Sequence, residues 1–168
     1  MDRRRALQRI AAGGATAAVS TTIVSRPVFA NYDPPTVAGA QFTATFSPIN
    51  VPVWELQLPT VTCPASATSS TPTQQWRFEV TTVSGGTARG CRPSGGSAGG
   101  FFQVPPSSVT VQICGTFQCE YAGGARPPQT FVYDTTIDYG TPPPSDAQII
   151  TPLSLAPTSE CPFPSFAC

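Results

Sequence analysis

Six cysteines and a thin set of carboxylates are the residues of this chain with chemistry to offer. There is no histidine and no lysine anywhere in the 168 residues. That removes the Ser-His-Asp and Cys-His arrangements, because both need an imidazole to take the nucleophile's proton. It removes histidine-based zinc sites and the H-E-x-x-H helix. Ser-Lys dyads, Schiff bases and the lysine of a phosphate-binding loop are gone as well. The glycine-rich stretch 94–100 therefore has no phosphate-binding context and reads as a flexible loop.

Carboxylate chemistry is what is left. A glycosidase-type hydrolase needs two acids ~5–9.5 Å apart. Asp134 and Asp138 fall on one face of an expected strand. At a rise of ~3.3 Å per residue they stand roughly 13 Å apart, too far unless twist or a bulge shortens the distance. With nearby carbonyls they would also seed a calcium site, since that hard cation prefers oxygen. No dense D-x-D-x-D-G run accompanies them. The pair reads as a solvated strand face, and no catalytic residue, metal ligand or cofactor is expected.

The cysteines are Cys63, Cys91, Cys114, Cys119, Cys161 and Cys168. Their spacings contain no C-x-x-C pair, which argues against zinc and against a thioredoxin-like redox role. An even count in an exported chain points to structural disulfides. Six cysteines allow fifteen pairings. Local spacing favours Cys114–Cys119 across a tight turn and Cys161–Cys168 around a C-terminal loop, leaving Cys63–Cys91.

The elements that must carry these residues are strands. Apolar and polar residues alternate with period two over 40–46, 53–58, 75–81, 109–113 and 130–137. Alternation of this kind puts one set of side chains on each face of a strand. Phe42, Ala44 and Phe46 share a face, as do Trp54, Leu56 and Leu58, and Trp76, Phe78 and Val80. Weaker strands are expected at 101–104, 118–122 and 147–151. Prolines interrupt the gaps and confine the strands to short lengths. Ser/Thr/Pro-rich 64–73, Gly-rich 84–100 and proline-rich 140–146 read as loops. Within Val109–Tyr121 a hairpin is expected, turning at Gly115-Thr116 with Cys114 facing Cys119. That register would set Ile113 against Glu120, a conflict that a bulge would relieve. The expected fold is all-β: an antiparallel two-sheet sandwich, Ig-like or jelly-roll-like, of seven or eight short strands tied by disulfides.

The first thirty residues have the three-part plan of a secretory leader, helical and cleaved. Arg3, Arg4, Arg5 and Arg9 form the basic region, Ile10 to Ser25 is uncharged, and Val28-Phe29-Ala30 suits cleavage after Ala30. The middle stretch is shorter than the ~20 apolar residues of a membrane span. Residues Arg3-Arg4-Arg5-Ala6-Leu7, the weakly apolar middle and Arg26 resemble a bacterial twin-arginine leader. The Sec route is the alternative. A twin-arginine leader implies that the protein crosses the membrane already folded, before its bridges form.

The remainder, 31–168, reads as one domain. It keeps four arginines against eight acids, a net charge of −4. Four scattered cations give no footprint for nucleic acid or anionic lipid. The expected function is an exported, non-enzymatic structural or interaction module at the cell surface, in the extracellular space or in the periplasm. Its partner would be protein or a second copy, met through edge strands or the Cys161–Cys168 loop. A carbohydrate-binding module and a small carboxylate-dependent hydrolase are the alternatives. Trp54 and Trp76 lie on apolar faces and read as core. The candidate contact aromatics are Phe101, Phe102, Phe117, Tyr121, Tyr133, Tyr139, Phe163 and Phe166.

Overall fold

Alternation of apolar and polar residues translates directly into a ladder of strands. A computed structural model describes residues 33–84, 86–164 and 166–168. The leader, with Arg3, Arg4, Arg5 and Ala30, lies outside the described residues. The strands are Thr36–Ala38 (β1), Gln41–Phe46 (β2), Val53–Gln57 (β3), Thr60–Thr62 (β4), Thr73–Thr82 (β5), Thr87–Arg92 (β6) and Ser97–Phe101 (β7). They continue with Ser108–Gln118 (β8), Glu120–Tyr121 (β9), Gly124–Ala125 (β10), Gln129–Asp138 (β11), Ala147–Pro152 (β12) and Ala156–Thr158 (β13). Every paired strand is antiparallel. No helix occurs among the described residues, so none there is long and apolar enough to cross a membrane.

Two sheets carry the fold. One has five strands in the order β13-β11-β8-β5-β6, the other four in the order β12-β2-β3-β7. Their inward faces meet in one core that joins Phe42, Phe46, Trp54 and Leu56 to Trp76, Phe78, Val111 and Ile113. Each such side chain contributes about 1.5–3 kcal/mol when fully withdrawn from water. The expected sandwich is therefore present, and from Pro35 onward the chain forms one compact unit.

Three cross-strand pairs set an aromatic ring on a glycine: Trp54 on Gly100, Phe78 on Gly90 and Trp76 on Gly115. A Cβ at Gly100 would lie 2.8 Å from the Trp54 indole nitrogen, and one at Gly90 2.8 Å from the Phe78 ring. One at Gly115 would overlap the Trp76 ring. A strand glycine has no side chain of its own to pack, and the neighbouring ring supplies the missing apolar cover. This corrects two expectations. Residues 84–100 are not one flexible loop, because β6 and most of β7 lie within them. Nor does the strand expected at 101–104 extend past Phe101: Phe102 turns inward, its N–H donating to the Pro52 carbonyl at 2.8 Å.

The expected hairpin at Gly115-Thr116 is also absent. β8 runs straight through both residues for eleven residues, paired with β5 and β11 on its two sides. All three expected disulfides fall with it. Cys114 and Cys119 are five residues apart along one extended segment, so they face opposite sides of the sheet. Their separation is roughly 16 Å at ~3.3 Å per residue, beyond the ~7 Å limit between bridged Cα atoms.

The bridges are Cys63–Cys119, Cys91–Cys168 and Cys114–Cys161. Cys63 and Cys119 belong to the inter-sheet core. Cys114 faces outward beside Arg77, and Cys91 flanks Arg77 on the other side. The segment after β13 therefore starts at one edge of the five-stranded sheet and is bonded first to its central strand, then to its far edge strand. It forms a strap over the outer face. Cys114 and Phe163 are buried yet outside the inter-sheet core, consistent with burial under the strap. The bridged residues are 56, 77 and 47 positions apart. In the chain-entropy model each bridge of this length removes about 4 kcal/mol of unfolded-state freedom.

Two outcomes follow from this packing. Gly115→Ala should cost about 1–3 kcal/mol in chemical denaturation, the usual range for forcing atoms into a packed core. Gly123→Ala, where an added Cβ meets nothing within 4 Å, should stay within about 0.5 kcal/mol. Equal effects would mean that Trp76 does not need the glycine. Graded reduction with thiol alkylation should label Cys161 and Cys168, which are exposed, before the buried Cys63 and Cys119. Simultaneous labelling in peptide mass mapping would contradict a strap that opens independently of the core.

Candidate functional site

Strand parity decides which of the candidate aromatics reach solvent. Phe117 is on the inward parity of β8, and Tyr121, Tyr139 and Phe102 close the ends of the core; all four are buried. Phe163 is buried and lies 6.0 Å from the half-buried Phe166 ring. Tyr133 is half-buried against the core. Both tryptophans are buried. Of the eight candidates, Phe101 alone is exposed, at 77%, because the outward parity of β7 carries it into solvent.

The acids do not converge. β11 pairs with β8 without a bulge from Gln129 to Asp138, so nothing shortens the Asp134–Asp138 distance. Asp138 accepts the Gly140 N–H at 2.7 Å and serves a turn. Glu79 pairs with Arg89 at 2.6 Å on the outer face of the five-stranded sheet. No cluster of three or more potential ligands occurs among the described residues.

Phe101 leads instead to a feature that sequence reasoning missed. It pairs with Val53 at the start of β3, next to the β2–β3 loop. Thr82 pairs with Val109, and Ser108 with Asp138, so the β5–β6 turn and the start of β8 lie together. The Tyr139 N–H donates to Ser107 at 2.7 Å, and the Tyr139 ring meets Phe46 edge-on at 5.2 Å. These links gather loops 47–52, 83–86, 102–107 and 139–146 at one pole of the sandwich. Six large apolar side chains are exposed among the described residues, and five belong to this pole: Ile49, Val51, Val83, Phe101 and Val104. Loops 47–52, 83–86 and 102–107 contain no charged residue. A cleft of about 170 Å³ opens beside Phe101, with Thr82, Ser84, Thr87 and Gln103 at its polar side and Trp54 at its wall.

The legible signal was aliphatic residues set among prolines and glycines outside any alternation. Pro48-Ile49-Asn50-Val51-Pro52 and Val104-Pro105-Pro106 are examples. The 47–52 tip bends, with the Ile49 and Asn50 N–H groups donating to the Ser47 hydroxyl at 3.4 and 3.3 Å, and its apolar side chains stay out of the core. Grouped exposed apolar residues mark a contact surface more often than scattered ones do.

One group near this pole titrates abnormally. The Tyr139 hydroxyl is buried without a hydrogen-bond partner. Its pKa is raised above the ordinary tyrosine value, first by burial and second by the charge of Tyr133.

Fold and site together define a disulfide-stapled β-sandwich that presents an apolar loop end with few charges. No protein-family model, curated protein or solved structure matches the chain.

The Tyr139 environment gives a pH test. The folded state holds this proton past the unfolded tyrosine value of about 10. Stability is full below that pH and falls as pH rises above it, since the unfolded state then binds fewer protons. Tyr139→Phe should flatten the alkaline decline measured by denaturant titration. At neutral pH it should be neutral or gain up to about 1 kcal/mol, because it removes an unsatisfied buried hydroxyl. A steeper alkaline decline in the variant would contradict this.

Proposed function

We propose that the chain is an exported, non-enzymatic interaction module that works outside the cytoplasm of a bacterium and is held at the envelope surface by its apolar pole. The leader with Arg3, Arg4 and Arg5 supports export, with cleavage after Ala30. Three disulfides and no free cysteine among the described residues fit an oxidising compartment. One observation carries the contact reading. Five apolar side chains from three loops and the end of β7 are exposed at the same end, while no three potential metal ligands gather among the described residues. Apolar tips of this kind gain free energy when another surface covers them.

The test uses the whole chain with its leader, produced in a bacterium that has a twin-arginine pathway. The expected product begins at Asn31, carries no free thiol and stays with washed envelopes. The triple variant Val83→Ser/Phe101→Ser/Val104→Ser should be exported equally but recovered mainly in the medium. Full-length, reduced protein in the cytoplasm would remove the export reading. Equal envelope retention of the variant would remove the pole as the contact surface.

A further inference from the structure

A sheet edge with unpaired N–H and C=O groups is a template for another strand unless something blunts it. The two sheets have four edges: β6 and β13 on one, β7 and β12 on the other. β6 and β7 are consecutive strands that meet at one corner, where the Arg92 guanidinium donates to the Ser97 carbonyl at 3.3 Å. β6 also carries the charges of Arg89 and Arg92, which blunt an edge, and β7 is short and glycine-containing. β13 has three residues, one of them Pro157, which offers no N–H.

β12 is different. It pairs with β2 along all six residues on one side and with no described strand on the other. β13, which follows it, is half its length and cannot shield the whole edge. Ala147-Gln148-Ile149-Ile150-Thr151 contains no charge and no proline, while Pro152 closes the strand without an N–H, so the edge open to pairing is these first five residues. Ile150 points to the outer face and is 55% exposed, the one large exposed apolar residue away from the pole. It neighbours Thr43, and its row carries a charge only at Glu55, two strands in.

We propose that β12 pairs antiparallel with β12 of a second copy, joining two four-stranded sheets into one continuous eight-stranded sheet. The edge itself specifies an extended strand as occupant, because only a strand satisfies alternate backbone groups in register. A second copy fits because the strand is uncharged, so self-pairing sets no like charges opposite each other. A two-fold axis perpendicular to the sheet keeps the outer faces together. It brings the two Ile150 side chains onto one surface, while the Asp146 residues fall at opposite ends.

The proposal is independent of the pole, and the experiment separates the two. Oxidised residues 31–168 are followed by size-exclusion chromatography with light scattering across micromolar to millimolar concentrations. A mass rising to that of two copies is expected, with Ile150→Lys weakening association at least tenfold. The pole variant Val83→Ser/Phe101→Ser/Val104→Ser should associate like the parent. Hydrogen exchange on the unaltered protein should show β12 amides gaining protection with concentration, which decides the matter even if Ile150→Lys does not fold. A monomer at all concentrations, association undiminished in a folded Ile150→Lys, or association lost in the pole variant would each overturn it.

Discussion

Gly115 lies under the Trp76 indole, and the course of β8 depends on that contact. Any side chain at 115 would lift the ring away from the sheet. With glycine there, the indole covers the backbone, and its Nε1 donates to the Gln74 Oε1 at 3.1 Å instead of being buried unsatisfied. β8 can then stay extended for its full length and act as the central strand between β5 and β11. Extension fixes parity. Residues 109, 111, 113 and 117 go to the core, while 110, 112, 114 and 116 go outward. Cys114 is thereby committed to the outer face and Cys119 to the core, and the disulfide framework follows from that division.

The framework suits a chain with few charges. The Arg89–Glu79 ion pair is exposed on its arginine side, and pairs of that kind are worth about 0–1 kcal/mol. Cohesion has to come from the inter-sheet core and from covalent closure of long loops. The two contributions are separable. Cys63–Cys119 lies within the core, whereas the two strap bridges hold a segment laid over a sheet that is already paired. A leader of the twin-arginine type would require the sandwich to form while reduced. Ring-on-glycine stacking and apolar burial need no oxidant, so that order is physically consistent, with the strap closing last.

Strands whose own side chains alternate were legible: 41–46, 53–57, 73–82 and 129–138 follow the period-two pattern within a residue or two. β6 and β7 were not, because Gly90, Gly99 and Gly100 look like loop residues when read singly. The apolar cover of Gly90 and Gly100 comes from Phe78 and Trp54, which are not adjacent in the sequence. The same effect turned Gly115-Thr116 into an expected turn and misled the cysteine pairing. Spacing along the chain favours short loops, but pairing is decided by which face and which strand each cysteine occupies. For the candidate site, residue type was a poor guide to exposure. Phe101 and Phe102 are adjacent, yet one is exposed and the other buried, since the strand ends between them. The pole was invisible for a related reason. Ile49, Val83 and Val104 come together only when four strand ends are set side by side.

Where the chain crosses between sheets decides which surfaces remain for contact. The crossing at 93–96 joins β6 to β7 and closes one side, while the crossing after Pro152 leads to a strand too short to close the other. Strand ends at the pole cannot be closed in the same way, because loops have to turn there and their apolar side chains stay exposed. The two remaining surfaces lie at right angles: the β12 edge runs along the strands and the pole sits at their ends. Antiparallel pairing across β12 reverses strand direction between copies, so the two poles of a pair point in opposite directions. A self-paired module would then bridge two surfaces and would be unable to grip one surface twice. Its strength at each end would be that of a single pole, and a self-paired module would act as a connector.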